Sequence, residues 1–293
     1  MRQTLFQLPL ILSLLAHTVF AQGEQRYPVK GLVLSVDRAH QAMVVSCQEI
    51  QGYMDAMAMP FKVADPKSLD GLTRGMQIEF TLVVKQDSSY AEQVRAVRYA
   101  SAEREPAKSR RLETLQNALG SAKSASLTVG QTVPDFALTD QNKQPVHLKD
   151  FTGKVVALNF VYTRCALPDY CFRLSNNFGE LQKRYKERMG RDLVLLTVTF
   201  DPVHDQPEVL SEYARTWKAD PRSWHFLTGS TPDVQHVCDL FGVNYVPDEG
   251  LFVHSLHTAI IDRNRRLITN LEGNEFTPQQ LADLVGTVMD RSK

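Results

Sequence analysis

The chain has 293 residues, of which 33 are Lys or Arg and 33 are Asp or Glu, so its formal net charge at pH 7 is zero. A neutral chain without a basic stripe or cationic tail argues against nucleic acid and anionic membrane surfaces as ligands. Its length is sufficient for two modest hydrophobic cores rather than one.

The first 21 residues are predicted to form a secretory signal peptide. Met1-Arg2 precedes a mostly apolar stretch at 8–20, and Ala21 offers a cleavage site. We therefore expect residues 1–21 to be removed and the mature protein to be periplasmic. The alternative is that this segment stays as an uncleaved membrane anchor.

Residues 27–100 are predicted to form a small all-β domain. The runs 32–36 and 43–47 flank a turn at 37–40, and residues 77–84 alternate between apolar and polar side chains. Several short strands in a segment of this size favour a small closed, OB-like barrel, because closure removes exposed strand edges.

Residues 101–127 have a different composition, dominated by Ser, Ala, Lys, Arg and Glu. Leu112, Leu115 and Leu119 have the spacing of one side of a short helix. This segment is predicted to be an interdomain linker with a helical portion.

Residues 128–293 alternate between strand and helix patterns, in the order β-α-β-α-β-β-α. This order favours an α/β, thioredoxin-like domain. In this order the predicted strands are 155–162, 193–200, 256–261 and 267–271, and the predicted helices are 171–189, 208–217 and 278–291. Residues 234–241 form a further apparent helix.

Cys165 and Cys171 lie where the first of these strands gives way to a helix. A helix N-terminus stabilises a thiolate, and Arg164 is placed to add to that effect. Such a pair can hold a soft metal ion or cycle between dithiol and disulfide. A structural disulfide, or two unrelated thiols, is the remaining interpretation.

His254 is the candidate imidazole partner of these thiols. It follows a loop at 247–250 and stands at the entrance to a strand, whose alternation would point His257 to the opposite face. Two thiolates and one neutral imidazole suit Cu(I). Cys238 lies inside an apparent helix and is predicted to be a small buried residue.

Asp205 and Glu208 have the spacing of a capping box, with Pro207 in the first helical turn. Asp205 is therefore predicted to be the N-cap of the second helix. The alternative is that Asp201 or Asp205 supports the thiol site.

A second candidate metal site lies in the all-β domain. Met57 and Met59 are two residues apart and would face the same side of a strand, where paired thioethers can bind Cu(I) or Ag(I). With Met54 they make three of the chain's eight methionines within six residues. The alternative is that they only fill the core.

Several short segments between residues 129 and 289 form a recognisable set: Val133-Pro-Asp-Phe136, Gly153-Lys154, Tyr162-Thr-Arg-Cys165, Thr199-Phe-Asp-Pro202 with Asp205, and His254-Ser255. Through these segments, residues 129–289 resemble the Sco/SenC family, thioredoxin-fold copper proteins involved in assembling the binuclear copper centre of cytochrome c oxidase. The resemblance implies that Cys165, Cys171 and His254 bind copper. One departure is that five residues separate the cysteines, where the family usually has three; a branch of bacterial relatives carries the longer form.

Residues 27–97 resemble CusF-like periplasmic copper-binding domains, which are small β-barrels with a Met-x-Met pair. Met57 and Met59 match that pair. Cys47 replaces the family's ligand histidine, and Met54 (or Tyr53) replaces the tryptophan that caps the metal. The resemblance thus implies a soft-metal site that includes Cys47.

Together these patterns predict a periplasmic copper chaperone, with an apo cytochrome c oxidase subunit or another copper client as its partner. Two alternatives stay open. One is a thiol–disulfide oxidoreductase that acts on client cysteines through Cys165 and Cys171. The other is a copper-sequestering resistance protein without a client.

Overall fold

A computed structural model of the chain describes residues 24–97, 110–111, 113–114 and 126–291. The predicted signal peptide lies outside the described residues, as do most of the predicted linker and its three leucines. The four described residues between 110 and 114 are helical. Among the described residues, no helix combines the length and apolar character that a membrane crossing requires.

The first domain is a five-stranded antiparallel sheet, which we call the sheet domain. Its strand order is β3-β2-β1-β4-β5. Alternate side chains of each strand face one interior, as the sequence pattern predicts. The strands are β1 (Gln25–Asp37), β2 (Ala42–Cys47), β3 (Met57–Lys62), β4 (Gln77–Val84) and β5 (Ser89–Val97).

The sheet domain curls, but its described residues do not form the predicted closed barrel. Bulges in β1, between Val33 and Ser35, and in β5, between Glu92 and Arg95, bend the sheet. The two outer strands approach each other through one isolated bridge, between Val63 and Ala91, instead of a continuous ladder. The prediction of a small all-β domain is confirmed, whereas the predicted closure is not found.

The second domain is α/β and thioredoxin-like, as predicted. Five short strands were not predicted: the two strands of the β6–β7 hairpin, the two of the β11–β12 hairpin, and β10. The strands are β6 (Ala137–Asp140), β7 (Pro145–His147), β8 (Val155–Val161), β9 (Leu193–Thr199), β10 (Trp224–Thr228), β11 (Tyr245–Asp248), β12 (Leu251–His254), β13 (His257–Ile261) and β14 (Leu267–Glu272); the helices are α1 (Arg173–Arg184), α2 (Pro207–Thr216), α3 (Thr231–Leu240) and α4 (Pro278–Arg291).

Seven strands of this domain form one sheet, in the order β14-β13-β8-β9-β10-β6-β7. Every residue of β8 and β9 is buried, which explains why their sequences are apolar apart from Asn159, Thr197 and Thr199. Strands β8, β9 and β10 are parallel, while β13 runs antiparallel to β8. Helix α1 lies beside α2, where Ser175 and Tyr213 are hydrogen-bonded at 2.9 Å.

The two domains pack closely against each other. Leu32 and Leu34 of β1 belong to the hydrophobic core of the second domain. A Cβ atom at Gly75 would lie 2.2 Å from Thr269 Oγ1, so only glycine permits this approach. The sheet domain is therefore docked on the thioredoxin-like domain through a shared apolar core.

Candidate metal centre

The sheet of the second domain brings three separate loops to one edge. Strands β8 and β9 are parallel and in register, with Val161 opposite Thr199, so the loops that follow them meet. Strand β13 runs the other way beside β8, with Thr258 opposite Asn159. The residues that precede β13 therefore lie at the edge where β8 ends.

Cys165, Cys171 and His254 meet at this edge. One ligand atom from each residue lies within 4.8 Å of the other two. Cys171 and His254 are 1% and 3% exposed, while Cys165 is partly exposed. An incoming ion or thiol would thus meet the site from the side of Cys165.

The His254 ring is oriented by its own neighbour. Its Nδ1 lies 3.0 Å from the carbonyl oxygen of Ser255, and because a carbonyl can only accept, Nδ1 carries the proton. The lone pair of the neutral ring is then on Nε2. Phe200 and Tyr162 pack against the ring at centroid distances of 4.8 and 5.7 Å and restrict its rotation.

The two thiols of the site differ in proton affinity. The pKa of the Cys165 thiol is lowered to about 4, chiefly because the Cys171 S–H donates a hydrogen bond to it. Burial raises the pKa of the Cys171 thiol well above its ordinary value, and the adjacent Cys165 reinforces that rise. At neutral pH Cys165 is therefore the thiolate and Cys171 the proton donor.

The loop that carries Cys165 is held by a buried carboxylate. Asp205, which is fully buried, accepts hydrogen bonds from the Thr163 backbone N–H (3.0 Å), the Thr163 hydroxyl (2.5 Å) and the Thr199 hydroxyl (2.5 Å). Burial raises the pKa of the Asp205 carboxyl, and these bonds oppose that rise. The predicted capping role was wrong, because Gln206 is the N-cap of α2; the supporting role is the one found.

Arg164 also differs from its predicted role of stabilising a thiolate. Its guanidinium donates to Asp201 Oδ2 at 2.7 and 3.0 Å and to the Gly250 carbonyl at 3.1 Å. Gly250 lies between β11 and β12, in the hairpin that ends at His254. Arg164 thus links the cysteine loop to the hairpin that carries the histidine.

The segment between the cysteines is irregular. Helix α1 begins at Arg173, two residues later than predicted, and is preceded by an irregular helical turn, Pro168–Phe172, in which Tyr170 has non-helical φ and ψ of −112° and −109°. This turn lets Cys171 fold back toward Cys165 across a five-residue gap. The contacts of Thr163 with Asp205 and of Arg164 with Asp201 join distant parts of the chain, so no pattern in the sequence predicted them.

Two further residues considered in the sequence lie away from the site. His257 is buried and faces Asn270 at 3.3 Å, and burial lowers the pKa of its imidazole. Cys238 is fully buried in the core, where burial raises the pKa of its thiol. None of the four cysteines, Cys47, Cys165, Cys171 and Cys238, forms a disulfide in the structure.

The sheet domain places its candidate ligands on neighbouring strands. Cys47 is directly opposite Met57, and Val45 is opposite Met59, so all four side chains share one face of the β2–β3 ladder. Cys47 is 1% exposed, whereas Met57 is 46% exposed. Burial raises the pKa of the Cys47 thiol to about 12. The sulfur atoms therefore lead from the solvent toward the interior of the sheet domain.

Met54 and Tyr53 occupy the turn between these strands. The Met54 backbone pairs with Ile50, and its side chain packs against the core of the sheet domain. Tyr53 stacks on Tyr27 with a centroid distance of 4.5 Å. One face of the Tyr53 ring is thus occupied, which leaves Met54 as the better candidate for a capping side chain.

A thioredoxin-like domain with two thiols and an imidazole at the end of its central strand is either a soft-metal protein or a dithiol redox protein. Both uses are consistent with a thiolate at Cys165. The donor set fits a soft metal, because two sulfurs and an oriented imidazole nitrogen converge within 4.8 Å.

Two family models match separate segments of the chain. Residues 124–290, more than half of the chain, match the SCO1/SenC model, so the chain belongs to this family. Residues 26–96 match the model described as copper binding periplasmic protein CusF. The predicted resemblances to both families are confirmed.

The chain is similar to several known proteins. An SCO2-like protein of Rickettsia typhi is 28% identical over 140 residues, which cover 45% of this chain and 66% of that protein. A putative copper-binding protein of Stutzerimonas stutzeri is 30% identical over 121 residues, or 40% and 55% of the two chains. The chain thus spans less than two thirds of these relatives. A solved SCO1/SenC family lipoprotein from Bacillus anthracis is 28% identical, with a TM-score of 0.49, covering 57% of this chain and 98% of that one.

The unequal thiols predict selective alkylation of the metal-free protein. Iodoacetamide should modify Cys165 at a rate that rises as pH increases through about 4 and levels off before neutrality, because the thiolate is then fully formed. Cys171, protonated and buried, should react far more slowly. Peptide mass spectrometry after timed labelling measures both rates, with Cys165→Ser as the control. A Cys165 rate that rises only near pH 9 would contradict the assignment.

Proposed function

We propose that this SCO1/SenC family member is a periplasmic copper chaperone. Its thioredoxin-like domain holds one Cu(I) through Cys165, Cys171 and His254 and passes the ion to a client protein. The observation that best supports this proposal is that one ligand atom from each of these three residues lies within 4.8 Å of the other two. An apo subunit of cytochrome c oxidase is the client that the family implies.

The sheet domain is proposed to hold a second copper ion. Met57 and Met59 supply thioethers, Cys47 a thiolate and Met54 a covering side chain. The alignment of Cys47 opposite Met57 supports this set. Copper suits sulfur donors at both sites, and the family model that matches residues 26–96 is described as copper binding.

A thiol–disulfide oxidoreductase is the second candidate. It is favoured by one observation, the low pKa of the partly exposed Cys165 thiol beside a buried, protonated Cys171. This arrangement provides an attacking thiolate and a resolving thiol. A copper-sequestering protein is a further alternative, which differs from a chaperone only in failing to release its ion.

Removal of the two thiols should remove one copper site. The Cys165→Ser/Cys171→Ser variant should bind one equivalent of Cu(I) less than the wild type, because a hydroxyl is a poor ligand for a soft ion. His254→Ala should weaken that site by more than the roughly 10- to 100-fold that loss of an outer hydrogen-bond partner costs. Competition with a chromogenic Cu(I) chelator measures both effects.

The matched control for that experiment is Cys238→Ala, which also deletes a thiol but lies in the core, away from the site. It should retain the full copper stoichiometry. Unchanged copper binding in the Cys165→Ser/Cys171→Ser variant would refute the site.

The methionine pair should act as metal ligands rather than as core residues. In the full chain with Cys165→Ser/Cys171→Ser, a further Met57→Leu/Met59→Leu change should abolish tight Ag(I) binding, since leucine keeps the volume and deletes the sulfur. Because thioethers carry no proton, their contribution should persist at acid pH, whereas that of Cys47 should fade. Isothermal titration with Ag(I) at two pH values tests both statements.

Met43→Leu serves as the control. Met43 is fully buried on the same face of β2 as Cys47, and its replacement deletes an equivalent thioether sulfur. It should leave Ag(I) affinity unchanged. If the Met57→Leu/Met59→Leu protein folds and binds Ag(I) as tightly as its parent, the methionines are core residues.

Copper loading should separate the chaperone from the oxidoreductase. The two sulfurs cannot bind copper and form a disulfide at once, so the chaperone should show weak insulin-reducing activity that one equivalent of Cu(I) per site abolishes. Copper transfer to a chelator or apo client should proceed from the same sample. Fast turnover that continues in the copper-loaded protein would favour the oxidoreductase, and retention of copper against a stronger chelator would favour sequestration.

A further inference from the structure

The first turn of α4 reaches across the domain boundary to the two strands that carry the sheet-domain sulfurs. Gln279 Nε2 donates to the Ala56 carbonyl at 2.9 Å, and Gln280 Nε2 donates to the Ser46 carbonyl at 3.0 Å. Ala56 immediately precedes Met57, and Ser46 immediately precedes Cys47. Two adjacent glutamines of one domain therefore hold the residues next to two candidate ligands of the other.

The orientation of Gln280 is fixed by the helix that carries it. Its Oε1 accepts from the Thr277 backbone N–H at 3.0 Å, and its own backbone N–H donates to Thr277 Oγ1 at 3.1 Å. This is a capping box at the start of α4. Since the amide oxygen is used by the helix, only the NH₂ group can face Ser46, and at 1% exposure the side chain has no solvent alternative.

One turn further along, Asp283 adds a second contact to the same strand. Its Oδ2 accepts from the Ser46 hydroxyl at 2.7 Å, while its Oδ1 accepts from the Arg184 guanidinium at 2.6 Å. Asp283 is only 9% exposed, so its charge is balanced by Arg184 within the interface. The carbonyl and the hydroxyl of Ser46 thus both bond to α4.

The strands need such support where the candidate ligands lie. Cys47 is the last residue of β2 and Met57 the first of β3, and strand ends open more readily than strand centres. Strand β3 is also at the edge of the sheet and pairs only with β2 along its length. Beyond the Cys47–Met57 pair the ladder stops, and the next backbone hydrogen bonds across this turn join Ile50 and Met54.

We propose that Gln279 and Gln280 are positioning residues for the sheet-domain metal site, a role that rests on the proposed metal binding by that domain. They hold the end of β2 and the start of β3 in the register that sets Cys47 opposite Met57. The metal affinity of the sheet domain then depends on its docking to α4. By thermodynamic reciprocity, metal in the sheet domain stabilises the docked arrangement by the same factor.

Gln279 is the residue to change, because it is only partly buried and lies in a helix that tolerates alanine. The experiment uses the full chain with Cys165→Ser/Cys171→Ser, so that Ag(I) reports the sheet domain. Gln279→Ala should weaken Ag(I) binding roughly fivefold, the size expected for one net hydrogen bond. Gln279→Lys, which keeps a donor for the Ala56 carbonyl, should restore the affinity.

Gln235→Ala is the matched control. It removes an exposed helical glutamine that bonds Asp239 within α3, and it should change nothing. Isothermal titration gives the affinities, and circular dichroism confirms that each variant is folded.

The effect of bound metal on the docking to α4 gives a second measurement, in which Gln279 and Gln280 are not substituted. Saturating Ag(I) should slow hydrogen exchange of the backbone amides at the start of α4, and Met57→Leu/Met59→Leu should remove that protection. A purely structural contact would leave this exchange independent of Ag(I).

The outcomes separate the two proposals. If the parent protein binds no Ag(I), the proposed sheet-domain site is wrong. If the parent binds and Gln279→Ala binds equally well, or if Gln279→Lys fails to restore the affinity, the positioning role is wrong while the site stands.

Discussion

The antiparallel pairing of β13 with β8 is the constraint on which the thiol site depends. Strand β8 delivers its loop, with Cys165, to one edge of the sheet, and only a neighbour that starts at this edge can bring His254 there. A parallel neighbour would place its preceding residues at the far end, a strand length away. The ladder between Thr258 and Asn159 therefore fixes which histidine meets the cysteines, before any metal is present.

Charge then holds the loops in place. Asp205 and Asp201 are almost fully buried, and a buried carboxylate without partners is strongly unfavourable. Thr163 and Arg164, directly before Cys165, donate hydrogen bonds to them, so movement of the cysteine loop would cost both carboxylates part of their hydrogen bonding. The cysteine loop therefore stays in place because moving it would break hydrogen bonds to buried carboxylates. Arg164 also bonds to the hairpin that ends at His254, so the same restraint acts on that hairpin.

The sequence revealed those parts of the structure that have a local signal. Strands β8 and β9 are largely apolar runs and were predicted, and His254 was selected because it stands just before a strand. The partners of Asp205 were not predictable, because Thr163 is 42 residues away and a capping box explained the same letters. Gln279 and Gln280 left no signal at all, since the carbonyls they bind lie 223 and 234 positions earlier in the chain. Barrel closure failed as a prediction for a similar reason: strand patterns do not determine whether outer strands pair.

The two candidate sites are prepared by different means. At Cys165 the thiolate already exists at neutral pH, since the Cys171 S–H stabilises it, so the donor atoms are ready in charge as well as in position. Cys47 is buried without such a donor and retains its proton, so the sheet-domain site has to rely on neutral thioethers and on strand position. In the proposed arrangement that position is supplied by α4 of the other domain, whose Gln279 and Gln280 bond to the carbonyls of Ala56 and Ser46. If the sheet domain binds metal as proposed, we expect separation of the domains to alter its metal affinity without any change to a ligand.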